Sequence, residues 1–110
     1  MAYDAELADR IQRIFGDWPV LRKKRMFGGL AYLLNGNMAF GLIGDALMVR
    51  CGPDRYAECL AREGVREFDF TGRPMKGWVV VGGEWLETER ELRDWMNLGL
   101  DFAASLPPKA

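Results

Sequence analysis

The sequence contains no histidine, only two cysteines and no long apolar run. The missing histidine removes the commonest general base and the commonest protein ligand of metals. Cys51 and Cys59 are too few for a structural zinc site, which usually has four ligands. No apolar stretch approaches the roughly 20 residues of a membrane-spanning helix. We therefore predict no catalytic centre, no metal site, no cofactor and no membrane contact.

The charge of the chain is balanced, with 15 basic and 16 acidic residues and a net charge of −1. A protein held on DNA by charge needs a basic excess, because Lys and Arg replace the counterions of the phosphates. The composition therefore disfavours direct nucleic-acid binding. The acidic start of the sequence does not resemble a secretory leader. We expect a cytoplasmic protein with reduced thiols.

The length of 110 residues, of which 49% are hydrophobic, is typical of one globular domain. We predict a single α+β domain over residues 1–110, with a small antiparallel sheet packed with three helices. The sheet is predicted to have a three-stranded meander plus one or two further strands, at Phe68 to Phe70 and at Trp78 to Val81. Helical spacing of apolar residues and a Thr88–Glu91 capping box mark the helices. The predicted helices cover residues 3–15, 52–64 and 88–106.

The meander is predicted from its turns. Asn35-Gly36 between two apolar runs is the strongest short hairpin signal, because a type I′ turn needs positive φ at both positions. Gly44-Asp45 marks a second two-residue turn. The strands are predicted over residues 30–34, 37–43 and 46–51.

The two turns together fix a register, in which opposed residues share a face. One face is wholly apolar and is predicted to be the core: Leu33, Met38, Phe40, Leu42, Leu47, Val49 and Cys51. The other face is mixed and includes Leu30, Tyr32, Leu34, Met48 and Arg50. This mixed face is either a protein interface edged by charge or a surface that one of the helices covers.

Arg22-Lys23-Lys24-Arg25 is the one charge run in the sequence. It is either a contact for phosphate or for an acidic partner surface, or a solvated linker. Arg73 and Lys76 precede Trp78 and extend this patch if the fold brings them near.

The sequence offers only weak candidates for a catalytic nucleophile and for a general acid or base. Cys51 lies on the predicted core face without a histidine to deprotonate it, so we expect an inert thiol. The carboxylate pairs Asp54/Glu58 and Glu87/Glu91 have the i, i+4 spacing that is common on solvated helix faces.

Several segments of the chain together form a recognisable sequence pattern. The most specific of them is Gly72-Arg73-Pro74-Met75-Lys76-Gly77-Trp78. The others are residues 24–29, Asn35-Gly36, residues 45–50 and residues 106–109. Over about residues 10 to 108 the chain resembles the TfoX (Sxy) N-terminal domain family.

The resemblance implies a small antiparallel sheet with packed helices. Named members of the family regulate natural competence genes, as co-activators with the cyclic-AMP receptor protein rather than as enzymes. They carry a second, C-terminal domain, so the resemblance implies here a stand-alone, single-domain member. The family supplies no catalytic residues to carry over.

We therefore predict a non-enzymatic protein-interaction module. The transcription machinery is its candidate partner, and a homodimer is a further alternative. The alternative is a small-ligand-binding protein or an unrecognised enzyme, with a pocket near Tyr32, Arg50, Arg73 and Trp78. The candidate binding residues are Arg22, Lys23, Lys24, Arg25, Tyr32, Arg50, Arg73, Lys76 and Trp78.

Overall fold

The computed structural model describes residues 3–16, 18, 21–26, 28–69 and 72–109. Within them the chain forms three α-helices, a short 3₁₀ helix at Gly83–Trp85 and an antiparallel sheet, which confirms the predicted α+β class. The helices are α1 (Ala5–Phe15), α2 (Tyr56–Leu60) and α3 (Glu89–Ala104). The strands are β1 (Leu21–Met26), β2 (Gly29–Leu34), β3 (Asn37–Ile43), β4 (Ala46–Arg50), β5 (Val65–Glu67) and β6 (Trp78–Val81).

The six described strands are ordered β1-β2-β3-β4-β6-β5 in the sheet. β1 to β4 form a meander, because each strand pairs with the next one along the chain. β1 contains the basic run 22–25, so the alternative of a solvated linker is wrong. The extended piece predicted at Phe68 lies instead at β5, and Phe70 falls outside the described residues.

Both predicted two-residue turns are present. Asn35 and Gly36 have φ values of 53° and 83°, as a type I′ turn requires. The segment after α3 closes over this turn: the Lys109 amide donates to the Asn35 carbonyl over 2.8 Å, and the Asn37 side-chain amide donates to the Pro107 carbonyl over 2.9 Å. A side chain at Gly36 would meet Lys109 at 2.8 Å, so the turn needs glycine for space as well as for its φ.

The predicted register between β2 and β3 is wrong beyond the first two pairs. Leu33 faces Met38 as expected, but Tyr32 pairs with Phe40, whereas Ala31 was the predicted partner. The register shift leaves Ala39 as an extra residue in β3, which is a β-bulge. The bulge reverses the alternation of β3 relative to β2, so Phe40 points to the same face as Tyr32.

The predicted core face is confirmed for Phe40, Leu42, Leu47, Val49 and Cys51, but the faces predicted for the β2 residues and for Met38 are wrong. All three helices pack on the face that carries Phe40, and Leu30, Tyr32 and Leu34 belong to that main core. Met38 packs instead on the opposite face, where Ala46, Met48, Phe68 and Val80 form a second buried cluster. The predicted mixed face does not exist, because its β2 residues Leu30, Tyr32 and Leu34 lie on the helix-covered side of the sheet.

Helix boundaries follow from local capping. The Asp4 side chain accepts hydrogen bonds from the Glu6 and Leu7 amides, so α1 begins at Ala5 and not at residue 3. The capping box between Thr88 and Glu91 is confirmed at the start of α3. α2 spans only five residues, fewer than the predicted helix over 52–64.

α3 crosses the sheet at the bulge. Gly99 lies directly over Ala39, and a Cβ at position 99 would overlap the Ala39 carbonyl oxygen. Only a residue without a side chain lets the helix backbone approach this closely.

Candidate functional site

The basic run lies on β1, an edge strand that pairs along one side only among the described residues. Arg22, Lys23, Lys24 and Arg25 are all exposed. Lys23 is opposite Tyr32 and Lys24 is opposite Ala31. Because side chains alternate along a strand, Lys23 and Arg25 lie on the helix-covered side of the sheet, and Arg22 and Lys24 lie on the other side.

No described carboxylate forms an ion pair with this run. The four charges are therefore available to a partner, and no strand among the described residues bonds the backbone N–H and C=O groups on the outer edge of β1. We call this surface, made of residues 21–26, the basic edge.

Arg73 and Lys76 are exposed on the segment that leads into β6. Three strands separate β6 from β1 in the sheet. The sheet therefore does not extend the basic edge to these two residues.

Arg50 and Trp78 are brought together, as direct partners across β4 and β6. The Arg50 guanidinium lies 5.3 Å from the centre of the Trp78 ring and 5.3 Å from that of Phe102 in α3. Such cation–π contacts stabilise a partly buried arginine. This arginine therefore ties the end of the sheet to α3, which is a structural role.

Tyr32 lies elsewhere, at a cavity of about 440 Å³ between α1 and the start of the sheet. Among the described residues the lining comprises Ile11, Gln12, Phe15, Gly16, Trp18, Leu21, Lys23 and Tyr32. We call it the aromatic pocket. Arg50, Arg73 and Trp78 are not among these residues, so the structure does not assemble the four-residue pocket that the sequence suggested.

A series of stacked rings includes the aromatic lining of the pocket and the buried Phe40 behind it. The Trp18 ring stacks on Phe15 with centres 5.8 Å apart, Phe15 on Phe40 at 6.3 Å, and Phe40 on Tyr32 at 4.7 Å. Trp18 is 40% exposed, unusually high for a large apolar side chain. Sequence reasoning missed Trp18 and Phe15 as site residues, and the sequence signal was only that Phe15 ends the apolar stripe of α1.

The hydroxyl of Tyr32 is a buried polar group whose hydrogen-bonding capacity is unsatisfied. Tyr32 is 2% exposed, and its hydroxyl has no hydrogen-bond partner in the described part of the chain. Burial, with a smaller effect from Tyr3, raises the pKa of Tyr32 to about 12. The hydroxyl therefore stays protonated near neutral pH and can donate a hydrogen bond.

The two thiols are buried and free. Burial, followed by the neighbouring Cys59, raises the pKa of Cys51 to about 12, and burial also raises the pKa of Cys59. The Cys51 thiol donates to the Gly77 carbonyl over 3.4 Å. A thiol is nucleophilic as the thiolate, so these groups are poor nucleophiles at neutral pH, and the predicted core position of Cys51 is confirmed.

These pKa values predict a loss of stability in alkali. The pKa of Cys51 rises from 9.0, and that of Tyr32 from 10.0, each to about 12 on folding. Folding therefore favours the protonated forms, so their contribution is complete below about pH 9 and falls as the pH rises toward 12. Urea unfolding between pH 7 and pH 11 measures the decline. In the Cys51→Ala/Tyr32→Phe double variant the decline should be shallower, and an identical decline would contradict the assignment.

Two further features concern the described residues as a whole. They contain no group of three or more His, Cys, Asp or Glu side chains that could hold a metal ion. No helix among them combines the length and the apolar character that crossing a membrane requires.

Comparisons with known proteins identify the family. No curated protein and no solved structure matched the chain significantly. The model of the TfoX N-terminal domain matches residues 13–103. This match includes the basic edge, the Asn35-Gly36 hairpin and most of α3, so the chain belongs to the TfoX N-terminal domain family.

Proposed function

We propose that this chain is a non-enzymatic protein-contact module that acts in transcriptional regulation, and that the basic edge is its contact surface. Family membership supports the regulatory role. The observation that carries the contact surface is the exposure of four basic side chains on an edge strand.

The edge favours an extended acidic segment of a partner protein. A strand added to β1 would satisfy its outer backbone groups, as in β-strand addition. Carboxylates on that segment would pair with Arg22 to Arg25 on both sides of the strand. A second copy of β1 would bring like charges together and be repelled.

DNA is a poorer fit to the same surface. The basic edge carries four basic residues, but the net charge of the whole chain is −1. Non-specific attachment to phosphates depends on many such charges and weakens steeply with salt. The proposed partner is therefore a protein, and we propose that contact takes place in the cytoplasm.

The experiment is affinity capture from the lysate of the native organism, with nuclease present throughout. Three tagged proteins are compared: wild type, Arg22→Glu/Lys24→Glu, and the control Arg66→Glu/Arg90→Glu. Both pairs are exposed and both change the net charge equally. The edge variant keeps Lys23, so it leaves the aromatic pocket intact.

We expect wild type and the control to capture the same protein, and the edge variant to lose it. Transcript profiles should then change alike in a deletion strain and in a strain with the edge variant. Equal capture by all three proteins, or capture that disappears with nuclease, would count against the proposal. Turnover of a metabolite that depends on residues of this chain would overturn its non-enzymatic part.

A further inference from the structure

We propose that the aromatic pocket binds a small carboxylate with a flat apolar body, held by Lys23 and Tyr32 at its charged end and by Trp18 and Phe15 along its rings. This site shares Leu21 and Lys23 with the basic edge, but its ligand class and its aromatic walls are distinct from the protein contact proposed there. A carboxylate of this class fits the cavity in size, in apolar lining and in charge.

The size of the cavity suits such a ligand. Its volume of about 440 Å³ falls within the roughly 300–1,000 Å³ of small-molecule sites. Ile11, Leu21 and the rings of Phe15 and Trp18 make slightly more than half of the lining apolar, and the rest of it is polar. The Trp18 ring stacks on Phe15 and is still 40% exposed, so part of its surface is accessible to a planar group.

The donors of the pocket are side by side. Lys23 and Tyr32 are directly opposed residues of β1 and β2, which puts their side chains next to each other on the helix-covered side. The ammonium and the protonated hydroxyl are both hydrogen-bond donors, and a carboxylate accepts from both. A cation would instead be repelled by Lys23.

The unsatisfied hydroxyl of Tyr32 supports the binding of a ligand in this pocket. A buried hydroxyl without a partner destabilises a fold, and a phenylalanine would fill the same volume without that cost. Gln12 also lines the pocket, but it makes no hydrogen bond to the hydroxyl, and its side-chain amide donates to the Gly16 carbonyl over 2.9 Å at the end of α1. The hydroxyl is closed off from solvent in this structure, so a carboxylate reaches it only through local repacking of the pocket, and would then satisfy Tyr32.

The test measures binding to the full chain by NMR titration. The probe is 2-naphthoate, and 2-naphthalenemethanol is its uncharged counterpart. For wild type we expect saturable binding of naphthoate with a Kd of about 1 mM or below, in line with the usual affinity per ligand atom. The shift changes should centre on Trp18, Lys23 and Tyr32. The alcohol should bind about tenfold more weakly, because it loses the charge-assisted hydrogen bond.

Two variants of β1 give a matched comparison. Lys23→Gln should weaken naphthoate binding by about tenfold, whereas Lys24→Gln, whose side chain lies on the other face of the sheet, should change it less than about twofold. Tyr32→Phe should weaken binding about three- to tenfold while its melting temperature stays equal or rises. A merely structural tyrosine would show no such separation of binding from stability.

The failures of the two proposals can be told apart. Arg22→Glu/Lys24→Glu should keep naphthoate binding even where it loses a protein partner. No saturable binding to wild type, equal binding of acid and alcohol, or equal loss in Lys23→Gln and Lys24→Gln would each overturn the carboxylate site.

Discussion

Phe40→Ala should lower the free energy of unfolding by about 3–5 kcal/mol, as truncation of a buried phenylalanine usually does. Phe40 is fully buried and lies between the rings of Tyr32 and Phe15. Its loss leaves a cavity under α1 and removes the support of the aromatic pocket. Urea unfolding followed by circular dichroism measures the change.

Ile43→Ala is the control for this substitution. Ile43 is on the same strand, but it is only partly buried and packs on the second cluster. Its truncation should cost about 1–2 kcal/mol, since less of the side chain leaves water on folding. A comparable loss in the two variants would show that Phe40 has no special place in the core.

Gly99→Ala should lower the free energy of unfolding by about 2–3 kcal/mol, because the added methyl overlaps a backbone atom. In an ordinary helix the same change stabilises by up to about 1 kcal/mol. Here the new Cβ would overlap the Ala39 carbonyl oxygen, which is backbone and moves only with β3. α3 must lift from the sheet or the bulge must shift.

Asn97→Ala in the exposed part of α3 separates this contact from helix propensity. It should raise the free energy of unfolding by up to about 0.7 kcal/mol, since alanine is the better helix former. If Gly99→Ala also stabilised the protein, the close approach of α3 to Ala39 would be wrong.

The sequence predicts best where structure is decided locally. The Asn35-Gly36 turn follows from the backbone preferences of two residues. The start of α3 follows from the reciprocal bonds of Thr88 and Glu91. Neither needs information from a distant part of the chain.

The bulge at Ala39 is different, because it is coupled to a contact with Gly99, sixty residues further along the chain. From the turns alone the regular register was the reasonable prediction, and it placed Tyr32 on the wrong side. The same single-residue shift therefore hid the aromatic pocket.

β1 was missed for another reason. A strand with one buried face shows alternating polarity, and residues 22–25 are uniformly charged. They form a strand because the neighbouring β2 supplies the backbone partners, while the side chains of residues 22–25 remain exposed.

The contact between Gly99 and Ala39 also bears on the order of folding. The hairpin of β2 and β3 joins neighbouring segments and can close early, since local contacts cost little loop entropy. Its turn fits the regular pairing, yet the native pairing contains the extra residue. We therefore expect the nascent hairpin to sample both alignments, and the docking of α3 to select the bulged one late in folding.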